Sequence, residues 1–224
     1  RFQSGVALIC VLHFIHLWYY HNKSSCGNKS RDLLSYPKIL GLLDLAPAFP
    51  LHCIHHHLQG VVFMAALYQL AWEDTFGGTA LDRAKWNVRI GNWSISEDGT
   101  PLAPGWGNNE QQYYRDDAQN LFVGNDRLTI RALRQTSPVQ FGQRVPYTSA
   151  KIDTRGLFSF CYGKVEFRAR CPLGTGLWPA VWMMPEDHVY GPWARSGEID
   201  ILEAMGRCPD LVCGTIHYGG PPQN

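Results

Sequence analysis

Charge is scarce in this chain of 224 residues: Asp, Glu, Lys and Arg make up 17%, and they cancel to a formal net charge of +1. That balance supplies no basic field for nucleic acid, so no nucleic-acid partner is expected. Sustained amphipathic helix periodicity is missing after residue 70, which leaves strands to build the core. Long apolar runs are missing too. The run from Val6 to Tyr20 carries His13 and His16 and falls short of the about 20 residues that a membrane span needs. No small-residue cleavage pattern follows it, and the stretch Gln59 to Leu67 is closer to the tail of a secretory signal. Residues 1–69 match no recognisable module, so an apolar, His-rich leader or tether outside the mature fold is expected there, with membrane association left open. Within that segment His52, Cys53, His55, His56 and His57 lack the second, distant ligand pair of a structural zinc site, and no metal is expected.

Apolar and aromatic residues are plentiful. At 45% hydrophobic and 12% aromatic, the chain can bury a sizeable core and does not read as disordered. Arg127 to Ala132 alternates polar with apolar, and Lys164 to Arg170 does so with Val165, Phe167 and Ala169 expected inward. Gly99-Thr100-Pro101, Gly124-Asn125-Asp126 and Pro172-Leu173-Gly174 supply turns between such segments. Many short antiparallel strands predict an all-β domain, a two-sheet jelly-roll sandwich, over residues 70–224.

The chemistry concentrates in Gly197-Glu198-Ile199-Asp200-Ile201-Leu202-Glu203. Side chains alternate along a strand, so Glu198 and Asp200 share one face while Ile199 and Ile201 share the other, which is expected to be buried. Glu203 falls on the wrong face unless the strand carries an extra residue, and a β-bulge near Leu202 would return it to the other acids. A helix would leave Glu198 and Glu203 on nearly opposite sides, at about 3.6 residues per turn. Acids held this close repel and raise one another's pKa, a cost in folding unless the arrangement is used. Two carboxyl groups about 5 to 5.5 Å apart are the working pair of a retaining glycosidase. A solvent-facing acidic edge or a calcium loop remains the plainer alternative.

Flanking residues favour the glycosidase. Gly174-Thr175-Gly176-Leu177-Trp178-Pro179-Ala180-Val181-Trp182-Met183-Met184-Pro185 and Gly191-Pro192-Trp193-Ala194-Arg195-Ser196 precede the acids, and Gly214-Thr215-Ile216-His217-Tyr218-Gly219-Gly220 follows them. With Leu70 to Phe76, Gly105 to Tyr114 and Tyr147 to Thr154, this pattern resembles glycoside hydrolase family 16, in particular its laminarinase-like endo-β-1,3-glucanases and the related β-1,3-glucan-binding proteins.

The resemblance implies a concanavalin A-like jelly roll with a sugar cleft on a concave sheet. It implies that Glu198 is the nucleophile, Glu203 the general acid/base and Asp200 the acid that supports them. Branches that only bind glucan tend to lose one or both glutamates, and this chain keeps all the acids. On the same basis Trp193 is expected to wall the subsite at the cleavage point, and Asn109 and His217 to contact sugar hydroxyls. Trp178 and Trp182 share strand parity with Ala180 between them, which would offer two indole rings to pyranose faces. The implied partner is a β-glucan polysaccharide bound by a monomer. No cofactor is required, although a structural calcium on the convex face is common in the family.

Two departures from the pattern carry expectations. Lys151 stands where the family often has arginine, and an ammonium cannot make a two-pronged planar hydrogen bond, so a sugar contact there is doubtful. Ala194 and Arg195 follow Trp193 where proline is usual, which predicts a looser loop.

Of the seven cysteines, Cys161 and Cys171 flank one strand and lie too far apart to pair, whereas Cys208 and Cys213 can pair across a turn at Pro209-Asp210. Sequons at Asn22, Asn28 and Asn92 agree with an extracellular, secreted protein, or with a membrane-tethered one. A family 16 domain would still owe several strands after Asn224, so the C-terminal part of the domain is expected to be missing and the fragment poorly stable. The leading function is retaining endo-hydrolysis of β-1,3-glucan such as laminarin. A non-catalytic glucan-recognition protein, or a hydrolase or transglycosylase acting on another β-glucan or a galactan, are the alternatives.

Overall fold

The computed structural model describes residues 68–96 and 98–219 together with the backbone of 8–20. In chain order the strands are β1 (Leu8–Tyr20), β2 (Tyr68–Asp74), β3 (Asn87–Arg89), β4 (Trp93–Ile95), β5 (Pro101–Pro104), β6 (Gln112–Tyr114), β7 (Leu121–Val123), β8 (Leu128–Ala132), β9 (Tyr147–Ser149), β10 (Lys151–Asp153), β11 (Gly163–Arg170), β12 (Ala180–Met183), β13 (Glu198–Ala204) and β14 (Val212–His217). One short 3-10 turn, Gly105–Gly107, is the only helical element among the described residues. The all-β expectation holds.

By packing, the chain divides into two units, one of Arg1–His16, Glu73–Ser159 and Glu166–Asn224, the other of Leu17–Trp72 and Phe160–Val165. The apolar run left unassigned in the sequence lies in β1, whose residues Leu8 to Leu12 pair antiparallel with Ala132 to Leu128 of β8. The His52–His57 tract and the sequons at Asn22 and Asn28 lie outside the described residues.

Inside the first unit, Asp74 anchors the start of the domain. Its buried carboxylate accepts from the Phe76 backbone N–H and the Trp86 indole N–H, each at 2.8 Å, and the two rings stack at 6.3 Å. Leu128 is fully buried, as are Asn120 and Thr148, and the Asn120 amide donates to the Arg131 carbonyl and to the Thr148 hydroxyl. Through its two N–H donations this amide ties the start of β7 to β8 and β9, while its own buried Oδ1 has no hydrogen-bond partner among the described residues. Thr148 and Ala150 point into that core, so by strand parity Lys151 emerges on β10 beside Arg89 of β3.

Several expectations change here. Along β8 both Leu128 and Thr129 are buried, so strict alternation fails where the strand meets structure on both faces. The isoleucine face of β13 is not covered: Ile199 is 42% exposed and Ile216, beside it on β14, 65%. Asn92 is buried, and its side-chain amide donates to the carbonyls of Glu110 and Gln112. It is therefore a structural residue, inaccessible to glycosylation in the folded chain. Cys171, Cys208 and Cys213 are free thiols. Cys208 sits in the turn between β13 and β14, bonded to Met205, while Cys213 lies on β14 opposite Glu203, and the two do not pair. The loop after Trp193 is held rather than loose, because Ala194 is buried and turn hydrogen bonds join Arg195 to Pro192 and Gly197 to Ala194.

Candidate active site

The acids stand on the central strand of the sheet β12-β13-β14. Asp200 lies opposite Trp182 on one side and Thr215 on the other, Glu203 opposite Ala180 and Cys213, and Glu198 opposite His217. Directly opposed residues share a face of the sheet. The register breaks between Asp200 and Glu203, where Ile201 and Leu202 face the single residue Gly214. The same irregularity appears against β12, where Leu202 pairs with Val181 and Ile201 has no partner. This is the bulge that the spacing of the acids demands, and it brings Glu203 to the face of Glu198 and Asp200.

Each glutamate has one indole donor. Trp193 gives its N–H to Glu198 Oε2 at 2.5 Å, and Trp178 gives its N–H to Glu203 Oε1 at 2.9 Å. The Thr215 hydroxyl lies 3.4 Å from the other Glu203 oxygen. Nε2 of His217 contacts Oδ2 of Asp200 at 3.1 Å, and the Trp193 and His217 rings are 5.5 Å apart. Burial pushes the Glu198 carboxyl above its ordinary pKa; the Trp193 hydrogen bond and His217 oppose that, and the neighbouring Asp200 adds to it. Glu198 and Glu203 keep partial exposure whereas Asp200 is buried. Trp178, at 54% exposure, and Trp193, at 46%, line the surface rather than the core, and Trp182 is also open.

Asn109 sits exposed just after the 3-10 turn with a positive φ of 58°, and its carbonyl accepts from the Gln111 side chain. Beside the acids the structure also gathers Lys151, where the sequence made a sugar contact doubtful, with aromatic residues that the sequence did not single out. The Lys151 ammonium lies 4.2 Å from the Trp106 ring, 4.7 Å from Trp182 and 5.8 Å from Tyr114. Burial lowers its pKa, while Glu110, Asp153 and Glu198 draw it back up. The Glu110 carboxylate accepts from Gln112 and from the Tyr114 hydroxyl, each at 2.5 Å. Thr215 could be found from parity, being two residues before His217 on the same strand. Lys151 and Trp106 have no such local signal.

Among the described residues, one group has metal-ligand character: Glu198, Asp200 and His217, whose ligand atoms lie within 4.8 Å of one another. It coincides with the acid cluster. Its atoms are engaged with one another and with Trp193.

Relatives place this geometry in a family. A glucan endo-1,3-β-glucosidase A1 from Niallia circulans is 47% identical over 153 residues, which is 67% of this chain and 22% of that protein. A glucan endo-1,3-β-glucosidase from Cryptopygus antarcticus is 40% identical over 164 residues, covering 72% of this chain and 55% of the other. The solved catalytic domain of an endo-1,3-β-glucanase (laminarinase) from Thermotoga petrophila RKU-1 superposes with a TM-score of 0.60 at 40% identity, covering 67% of this chain and 57% of that one. The chain thus spans little more than half of each relative at most, and it shares with them the all-β jelly-roll architecture expected from its strands. The model of glycosyl hydrolases family 16 matches residues 105–224, the stretch that contains the bulged acid strand and both of its indole donors, and the chain belongs to that family.

Proposed function

We propose that this chain carries the catalytic face of a retaining endo-β-1,3-glucanase. One observation carries the reading: the bulge in β13 sets Glu203 on the same face as Glu198 and Asp200, with each glutamate bonded to its own tryptophan. In the first step a Glu198 carboxylate oxygen attacks the anomeric carbon, the C1–O glycosidic bond breaks, and Glu203 gives its proton to the departing oxygen. In the second, the Glu203 carboxylate takes a proton from water, the water oxygen attacks the same carbon, and Glu198 leaves. Two inversions return the original configuration. The indole N–H of Trp193 only donates, so its bond favours the ionised Glu198 that the attack requires. Asp200 and His217 hold the middle of the face, next to the nucleophile.

Trp178, Trp182 and Trp193 supply exposed ring faces on which pyranose units can stack. The substrate class follows that of the relatives, which are named endo-1,3-β-glucosidases. On this reading the chemistry needs no cofactor. A polymeric substrate too large to enter a cell also favours action outside it, free or membrane-tethered.

The test is a panel of laminarin, mixed-linkage β-glucan and an algal galactan, read by reducing-sugar release and by the anomer first formed. Release of β-anomers from laminarin, lost in Glu198→Gln while binding persists, is the expected result. Binding without release would assign a recognition role instead.

A further inference from the structure

We propose that Lys151 is a positioning residue: its ammonium, clamped between the indole rings of Trp106 and Trp182, joins two aromatic walls into one sugar-stacking platform beside the acids. The role in sugar binding rests on the glucanase reading above; the clamp itself is tested without sugar. The two rings come from elements that share no sheet. Trp182 belongs to β12 and faces Asp200 across the strand pair, whereas Trp106 sits in the 3-10 turn before β6, a strand paired with β9. Their relative position therefore depends on side chains.

Lys151 occupies the place where such a link is needed. Its backbone is set by the β10–β3 pairing, and its Nζ lies 4.2 Å from one indole centroid and 4.7 Å from the other. A cation over a ring face is attracted by the negative face of the π system, more strongly where water is excluded. The Trp106 end is itself tethered, since the indole N–H donates to the Gly91 carbonyl at 3.2 Å and the ring packs on Tyr114 at 5.7 Å. Trp182 is 38% exposed, and the Lys151 ammonium over its ring opposes its swing. A lysine here acts on the sugar through the rings and not by donating to it.

The kinetic test is a double-mutant cycle on KM for a long β-1,3-glucan, with Lys151→Met, Trp182→Leu and the pair. Lys151→Met should raise KM about tenfold with kcat little changed. The effect should largely vanish in the Trp182→Leu background, which has no ring for the cation, because coupled residues are not additive. Lys151→Arg, which also stacks on aromatic faces, should restore KM to within about twofold. Additive losses, or a fall in kcat at unchanged KM, would overturn the clamp in favour of a direct sugar contact. Acrylamide quenching of tryptophan fluorescence in the absence of sugar supplies the independent readout. Lys151→Met should increase quenching, and no increase should appear when Trp182 is already Leu. Unchanged quenching overturns the clamp whatever the substrate proves to be, whereas failure of the unmodified chain to bind or cleave glucan overturns only the glucanase reading.

Discussion

Nε2 of His217 lies 3.1 Å from Oδ2 of Asp200, although the residue opposite His217 across the strand pair is Glu198. The ring leans along the sheet and satisfies the one acid of the cluster that is nearly sealed from water, at 6% exposure. His217→Ala would leave that carboxylate without this partner at a cost of about 1–3 kcal/mol. The melting temperature should fall by roughly 2–10 °C, and His217→Asn, whose amide can still donate, should recover part of it. Calorimetry on the two variants checks this; equal melting temperatures for wild type and His217→Ala would show that the contact adds nothing.

Trp193 should set the acid limb of activity. As nucleophile, Glu198 must be ionised, and its pKa is already raised by burial and by Asp200 while the indole N–H holds it down. Trp193→Phe keeps a ring but removes the donor, so the pKa rises further and the acid limb of kcat/KM moves to higher pH. A pH–rate profile that stays in place or moves to lower pH would contradict the assignment.

Glu203→Gln removes the proton that the departing sugar oxygen needs. Turnover of laminarin should fall by about 10²- to 10⁴-fold, while an aryl glucoside with an acidic phenol keeps a fast first step because its leaving group needs no proton. Added azide should restore turnover by trapping the glycosyl-enzyme as a glycosyl azide of retained configuration. Equal losses on both substrates, with no response to azide, would remove Glu203 from this role.

Strand parity gives a prediction of the opposite kind. Deleting Ile201, the residue without a partner on β12, places Glu203 four positions after Glu198, on the same face by ordinary alternation. That variant should retain activity to within about tenfold. The double substitution Leu202→Glu with Glu203→Leu, at identical composition, turns the carboxylate to the isoleucine face and should abolish turnover. Activity assays alongside circular dichroism of both variants decide between them.

The acid strand could be read almost entirely from its letters. Alternation assigned Glu198 and Asp200 to one face and the odd spacing to Glu203 required a bulge, and the register of β13 agrees with both, whereas Trp193 and His217 entered through the family resemblance. These features are local, because the pleat has a period of two residues and any departure from it must be absorbed within the same strand.

Long-range packing decided the rest. Periodicity separates two faces of a strand but does not say which one is covered, so Asp200 is buried while Ile199 and Ile216 stand open. It also cannot bring together residues far apart in the chain: the sequon asparagine Asn92 is consumed by the carbonyls of Glu110 and Gln112, and Lys151 meets Trp106 and Trp182 from three separate segments. Such meetings depend on how sheets with no shared strand are stacked, which is a property of the folded chain and not of any window along it.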